Sequence, residues 1–236
     1  MVPKDEMMHR FGEMLKTQTP LTLLNTYRGF SISHPASVKA ISEGYVALLV
    51  HEYQAVAMAL EGKTHIQSPL LSEAVRANVV SVDVVEKQVV VTEFVEAGST
   101  VGQRTYTRVH PNEPIDAEIY DGQRRIGGKL ADISTKGIGV FTFAAYIYGD
   151  LSFDQGKEVF IDFRPPEMEK IMRFKGRVTS VVHPEGTFLQ RLGVQIFHDA
   201  EMEAVLQEYI TKRQEETERE LHLIYESMCR EKTEKA

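Results

Sequence analysis

From Leu21 to Phe197 the chain offers only short runs rich in β-branched and aromatic residues, separated by glycine, proline or charged residues. Runs this short, with their apolar residues at strand spacing, fold as strands that must find partners. In the first part, Leu21 to Thr26, Gly29 to Ser33, Tyr45 to Val50, Gln54 to Leu60, His65 to Gln67, Val75 to Asp83 and Gln88 to Phe94 read as strands. Pro69 to Ala74 reads as a connection, and Glu96-Ala-Gly98-Ser99 as a boundary. Strands at this spacing predict a small barrel or sandwich. Ahead of them, Met7, Met8, Phe11, Met14 and Leu15 recur at helical spacing, so a short amphipathic helix is expected before Pro20.

A second β-rich region follows. Ile115 to Tyr120, Arg124 to Ile133, Gly137 to Thr142, Glu158 to Phe163, Phe174 to Val182 and Phe188 to Phe197 fit six strands. Asp121-Gly122 reads as a hairpin turn, with further turns at Asp154-Gln155-Gly156 and His183-Pro184-Glu185-Gly186. After Asp199 the period becomes helical. Met202, Val205, Leu206, Tyr209 and Ile210 form one stripe, and Leu221, Ile224 and Met228 a sparser one. Neither Pro nor Gly interrupts the run between His198 and Thr233. Its first half is expected to cover a barrel. Its charged second half reads as a solvated helix, or alternatively as an oligomerising or partner-binding coil.

The fold class is therefore mainly β: two small barrels and a long C-terminal helix. The expected division is an N-terminal helix (1–19), a first barrel (20–98), a linker (99–109), a second barrel (110–198) and a helix (199–236). A length of 236 residues accommodates this, at about 100 residues per domain.

Composition narrows the function. The single cysteine, Cys229, cannot form an internal disulfide. Met1 to Phe11 mixes charges with apolar residues, unlike a secretory signal, and no run is apolar enough to span a membrane, so a cytoplasmic location is expected. Net charge is −7 and unevenly spread. Residues 1–98 hold 8 Lys+Arg against 11 Asp+Glu, residues 99–198 hold 13 against 12, and residues 199–236 hold 6 against 11. An acidic whole argues against sequence-independent DNA binding, which needs many phosphates neutralised. A small anion held by a few arginines of the middle third fits better.

Two pieces of that third carry chemistry: Arg104-Thr-Tyr-Thr-Arg108 and, 24 residues after Arg108, Asp132-Ile-Ser134-Thr-Lys-Gly137. A guanidinium presents a planar fork of donors that suits a phosphate or the O6/N7 edge of guanine. An aspartate accepts from the guanine N1–H and N2–H₂ edge, and a serine hydroxyl adds a contact. Glycine permits a tight turn and close approach of a ligand. The set suits an anionic guanine nucleotide.

This ordered pair, RxxxR then DxSxxG, closely resembles the PilZ family of cyclic di-GMP receptors. The likeness runs over roughly residues 102–212. Gly127-Gly-Lys-Leu-Ala-Asp132 and Gly137-Ile-Gly139-Val140 look like the family's second and third strands. Phe174-Lys-Gly-Arg177-Val178 looks like its penultimate strand, and Arg191-Leu-Gly193-Val-Gln-Ile-Phe197 like its closing strand. The resemblance implies a six-stranded barrel binding cyclic di-GMP, often as an intercalated dimer. By position, Arg104 and Arg108 would contact phosphates and guanines, Asp132 and Ser134 would read a guanine edge, and Gly137 would shape the turn. Gln103 stands where many relatives carry another Arg, which leaves both one and two ligand molecules open. The first β-region also resembles the split-barrel domain that precedes PilZ in flagellar-brake receptors.

The function this implies is a bacterial second-messenger receptor without catalysis. Ligand would order a mobile arginine joint, change the angle between the barrels and signal to a protein effector of motility, exopolysaccharide synthesis or regulation. A ligand-independent scaffold and a cyclic di-GMP-responsive transcriptional regulator are the alternatives. Direct DNA contact is not expected, because no helix-turn-helix is readable. A homo-oligomer through the C-terminal helix is the further option. Enzyme readings are weak: Asp132, Ser134 and His110 have triad residue types without a GxSxG elbow. Gly122 to Lys129 fails phosphate-loop spacing, with Leu130 where Ser or Thr is required. The eight histidines show no zinc spacing, so no metal is expected. Arg124, Arg125 and Lys129 read as a solvated strand face rather than an extension of the anion site.

Overall fold

Alternation of buried and open positions builds the first barrel. In Leu21–Tyr27 (β1), Leu21, Leu23 and Asn25 face inward. The same period runs through Tyr45–Leu49 (β3) and Lys63–Gln67 (β4), and through the first residues of Val75–Asp83 (β5) and Gln88–Glu96 (β6). Between β1 and β3 lies the long strand Phe30–Ser42 (β2). The six close in the order β1-β2-β3-β6-β5-β4, all antiparallel. These are features of a computed structural model that describes residues 4–97, 106–143, 153–166, 171–197 and 200–234.

Turn chemistry fixes the registers. Tyr27 faces Phe30 and Ser42 faces Tyr45, leaving the two-residue loops Arg28-Gly29 and Glu43-Gly44. All four loop residues have positive φ (48°, 77°, 33° and 91°), the pattern that matches strand twist in a two-residue hairpin. Pro35 sits within β2 opposite Thr22, where β3 has not yet begun to pair, so its missing N–H breaks no ladder on that side.

One strand expectation is overturned. Gln54 to Leu60 is not extended; it lies inside the α-helix Glu52–Glu61 (α2). Ala, Met, Leu and Gln are good helix formers, and Val56 is the segment's sole β-branched residue. His51 caps the helix, its Nδ1 accepting from the Tyr53 N–H at 3.2 Å, and Gly62 ends it at φ 67°. Beneath α2 is a buried polar knot. The Asn25 Oδ1 accepts from Gln54 Nε2 and Thr64 Oγ1, and its Nδ2 donates to Glu61 and to the Lys63 carbonyl. The helix Lys4–Thr17 (α1) supplies Met7, Phe11 and Met14 to the barrel core, with Phe11 4.8 Å from the Phe94 ring.

The second barrel is built from Asp116–Tyr120 (β7), Arg125–Ser134 (β8), Gly137–Phe143 (β9), Glu158–Phe163 (β10), Met172–Val182 (β11) and Leu189–Phe197 (β12). It closes as β10-β11-β12-β9-β8-β7. Its core holds Ile119, Ile133, Val140, Ile161, Phe174 and Leu192. At the expected hairpin turn, Asp121 binds the Gln123 and Arg124 N–H groups and Lys157 Nζ. These partners, Lys157 foremost, hold its carboxyl well below the usual range. Arg125 pairs with Glu118 and Lys129 with Asp116 across strands, so the basic cluster is a salt-bridged outer face.

The chain divides into two units, Met1–Thr105 with Glu216–Ala236, and Tyr106–Glu215. The C-terminal helix Ala200–Glu234 (α3) therefore contributes to each. In the second unit, Leu206, Tyr209 and Ile210 join the barrel core, as expected. In the first, the sparse stripe is neither a solvated face nor an open coil seam. Leu221 is buried with Ile32, Val56 and Ala57, and Ile224, Tyr225 and Met228 pack beside them. Arg28 and Lys232 add ion pairs to Glu220 and Asp83. Among the described residues, no helix is long and apolar enough to cross a membrane.

Candidate functional site

The site starts from the β8–β9 hairpin. Ser134 faces Gly137 across the two-residue loop Thr135-Lys136. The Ser134 hydroxyl is buried and donates to the Gly137 carbonyl at 3.1 Å, closing the turn. Gly137 lies close to β12: a Cβ there would stand 3.3 Å from the Val194 carbonyl oxygen. The turn that the DxSxxG spacing encodes is thus a hydrogen-bonded hairpin whose backbone leaves little room for a side chain.

A segment outside the named strands brings up the arginine. Val109 exchanges both backbone hydrogen bonds with Ile133, each at 3.0 Å. Val109 and Ile133 are buried, so Arg108, Asp132 and Ser134 lie on the alternate side of their strands. Arg108 Nη1 donates to Asp132 Oδ1 at 3.0 Å. At Arg108 and Val109 the expected joint is thus held by a β-bridge and a carboxylate. Arg104 and Gln103 lie outside the described residues.

A third residue completes the cluster. Arg191, on β12, reaches Asp132 Oδ2 with Nη2. Register explains how a residue two strands away arrives there. Asp132 pairs with Gly139 on β9, and Gly139 pairs with Gly193 on β12. Arg191 is two residues from Gly193 on the same face, so its side chain crosses diagonally above Gly139. A Cβ on Gly139 would come within 2.5 Å of Asp132 Oδ2 and 3.0 Å of Arg191 Nη2. Its absence makes the hollow in which carboxylate and guanidinium meet. The Asp132 side chain is 6% exposed, against 35% for Arg108 and 28% for Arg191.

The cluster is one nearly enclosed carboxylate between two half-exposed guanidiniums. Such a cluster presents donors to an anion and keeps acceptor lone pairs for an N–H edge. Sequence reading singled out Arg108, Asp132, Ser134 and Gly137, and the fold brings all four together. It passed over Arg191 and Gly139 as ordinary strand residues, since only the β8–β9–β12 register reveals them. The His110 side of the segment is fixed elsewhere: the buried Arg213 of α3 donates from Nε to the His110 carbonyl at 3.3 Å. Among the described residues, no group of three or more His, Cys, Asp or Glu is placed to hold a metal.

No curated protein matches the chain in sequence. Among solved structures, YcgR of Escherichia coli in complex with c-di-GMP is similar at 14% identity, with 94% of this chain and 95% of that one covered and a TM-score of 0.46. The Bacillus subtilis inhibitor of motility, MotI/DgrA, is similar at 14% identity, with 83% and 95% covered and a TM-score of 0.43. The MrkH–c-di-GMP complex of K. pneumonia gives 12%, 92% and 97%, with a TM-score of 0.45. The model of the PilZ domain matches residues 102–212, the stretch that holds the arginine segment, the second barrel and the start of α3. These residues, a little under half of the chain, match the PilZ domain.

Proposed function

We propose that this protein is a receptor for cyclic di-GMP. The observation that carries the reading is the meeting of Arg108 and Asp132 at 3.0 Å, in a PilZ domain, from 24 residues apart in sequence. In this reading Arg104 and Arg108 take the ligand phosphates and lie against its guanines. Asp132 accepts from the guanine N1–H and N2–H₂ edge. Ser134, its proton committed to Gly137, offers lone pairs beside it, and Gly137 keeps the turn close to the ligand. Ordering each residue of the arginine segment costs about 1–2 kcal/mol. Charge-assisted hydrogen bonds of about 1.5–3 kcal/mol each offset that cost.

The output is assigned to a change in the arrangement of the two units, read by a protein partner. What supports it is the place of the arginine segment in the chain, at the change from one unit to the other, and the membership of α3 in both. Small-angle scattering with and without ligand tests this part. An unchanged profile at saturation would remove it while leaving binding intact.

Binding itself is tested by isothermal titration calorimetry with cyclic di-GMP, with GTP as control. Saturable, selective heat is expected, and its stoichiometry answers the question raised by Gln103. The double variant R104A/R108A is expected to lose binding while both units still melt cooperatively. Retained affinity in that variant would falsify the assignment.

A further inference from the structure

We propose that Arg191 is a positioning residue of the ligand site: it holds the Asp132 carboxylate across Gly139, so that Arg108 can leave Asp132 for the ligand. The proposal rests on the cyclic di-GMP reading and adds to it a residue outside both motifs.

The two arginines on Asp132 are scaffolded differently. Arg191 is paired on both sides, with Phe141 of β9 on one and with Val182, the last residue of β11, on the other. Its backbone is fixed from both sides. Arg108 belongs to no named strand; its segment is held by the bridge at Val109 and by Arg213 on the His110 carbonyl. Its side chain is also the more exposed of the two. Of the pair, Arg108 is the one free to move.

That difference matters because Asp132 is so nearly enclosed. If Arg108 were its only partner, capture of Arg108 by a phosphate would strand a buried carboxylate, which is costly. With Arg191 on Oδ2, the carboxylate stays compensated when Oδ1 is vacated. The vacated oxygen then faces outward with lone pairs available for a guanine edge. Arg191 thus keeps Asp132 aimed, and the empty Cβ position of Gly139 is the space this contact requires.

The test is calorimetry of the full chain with cyclic di-GMP and with its inosine analogue, which lacks the N2 amino group. Melting curves accompany each variant. R191Q is expected to weaken cyclic di-GMP binding about tenfold or more, since a desolvated charge partner is lost. It should also narrow the preference for guanine over hypoxanthine, a readout that loosened packing alone would not move. R191K, which still offers a cation to Oδ2, should recover most of both effects. G139A keeps every charge but drives a methyl into the contact, so it should reproduce R191Q. The double variant R191Q/G139A should be no worse than either single change, because both act on one contact.

A folded R191Q that binds and discriminates like the wild type overturns the proposal and leaves the receptor reading standing. Wild-type protein that gives no heat overturns the receptor reading, and this proposal with it. If R191Q does not fold, G139A decides in the same two ways.

Discussion

Gly139 and Gly176 are glycines for reasons that lie on neighbouring strands. Neither has the positive φ that a turn would demand. A Cβ on Gly176 would stand 2.6 Å from the Gln195 carbonyl oxygen and 2.6 Å from Val194 Cγ1. Gly127 is the contrast: nothing lies within 4 Å of its Cβ position. Gly176→Ala is therefore expected to destabilise the second unit by about 1–3 kcal/mol through overpacking. Gly127→Ala should change stability by no more than about 0.5 kcal/mol. Urea titration of both variants checks the pair, and equal midpoints would contradict it. At this scale the motif residues were legible because their types carry a chemistry. Gly139, Gly176 and Arg191 were not, because nothing adjacent in sequence says which strand will lie beside them.

At the scale of elements, α2 shows where pattern fails. A short apolar run gives no period long enough to separate strand from helix, and flanking caps decide instead. Here the cap is a histidine, and it sets a second histidine ring against the helix entry. The rings of His34 on β2 and His51 stack at 3.9 Å, with Tyr53 edge-on to both. Burial, and then the neighbouring His51, lower the His34 pKa below 6.5. Burial, then Lys63, lowers that of His65 likewise. A histidine whose folded pKa is depressed binds fewer protons folded than unfolded. Its contribution is intact above the unfolded pKa of 6.5 and is lost as pH falls below it. The first unit is expected to lose stability between about pH 7 and pH 5, and His34→Gln to reduce that loss. Thermal melts across that range check it; a slope unchanged in His34→Gln would contradict the assignment to His34.

For the whole molecule the informative residue is Leu221. It is 1% exposed, and its partners Ile32, Val56 and Ala57 all belong to the first unit. Leu221→Ala should destabilise that unit by about 2–5 kcal/mol. Cyclic di-GMP, on the proposed binding through Arg108 and Asp132, should raise the second unit's transition by mass action, in the variant as in the wild type. Differential scanning calorimetry reads both effects, and a Leu221→Ala scan identical to wild type would contradict the assigned packing.

Sequence alone determined the β-rich class, a region for each of the twelve described strands with α2 misread as a thirteenth, the uninterrupted final helix and four candidate residues that cluster. These follow from local physics: side-chain period, turn residues and the absence of Pro and Gly leave few conformations for each segment. Only the tertiary structure decided that β8, β9 and β12 stack Asp132, Gly139 and Arg191 into one contact. It alone buried the Leu221 stripe in the first unit. Both depend on which surfaces meet, and a pattern of apolar and charged residues states what must be covered without stating by what.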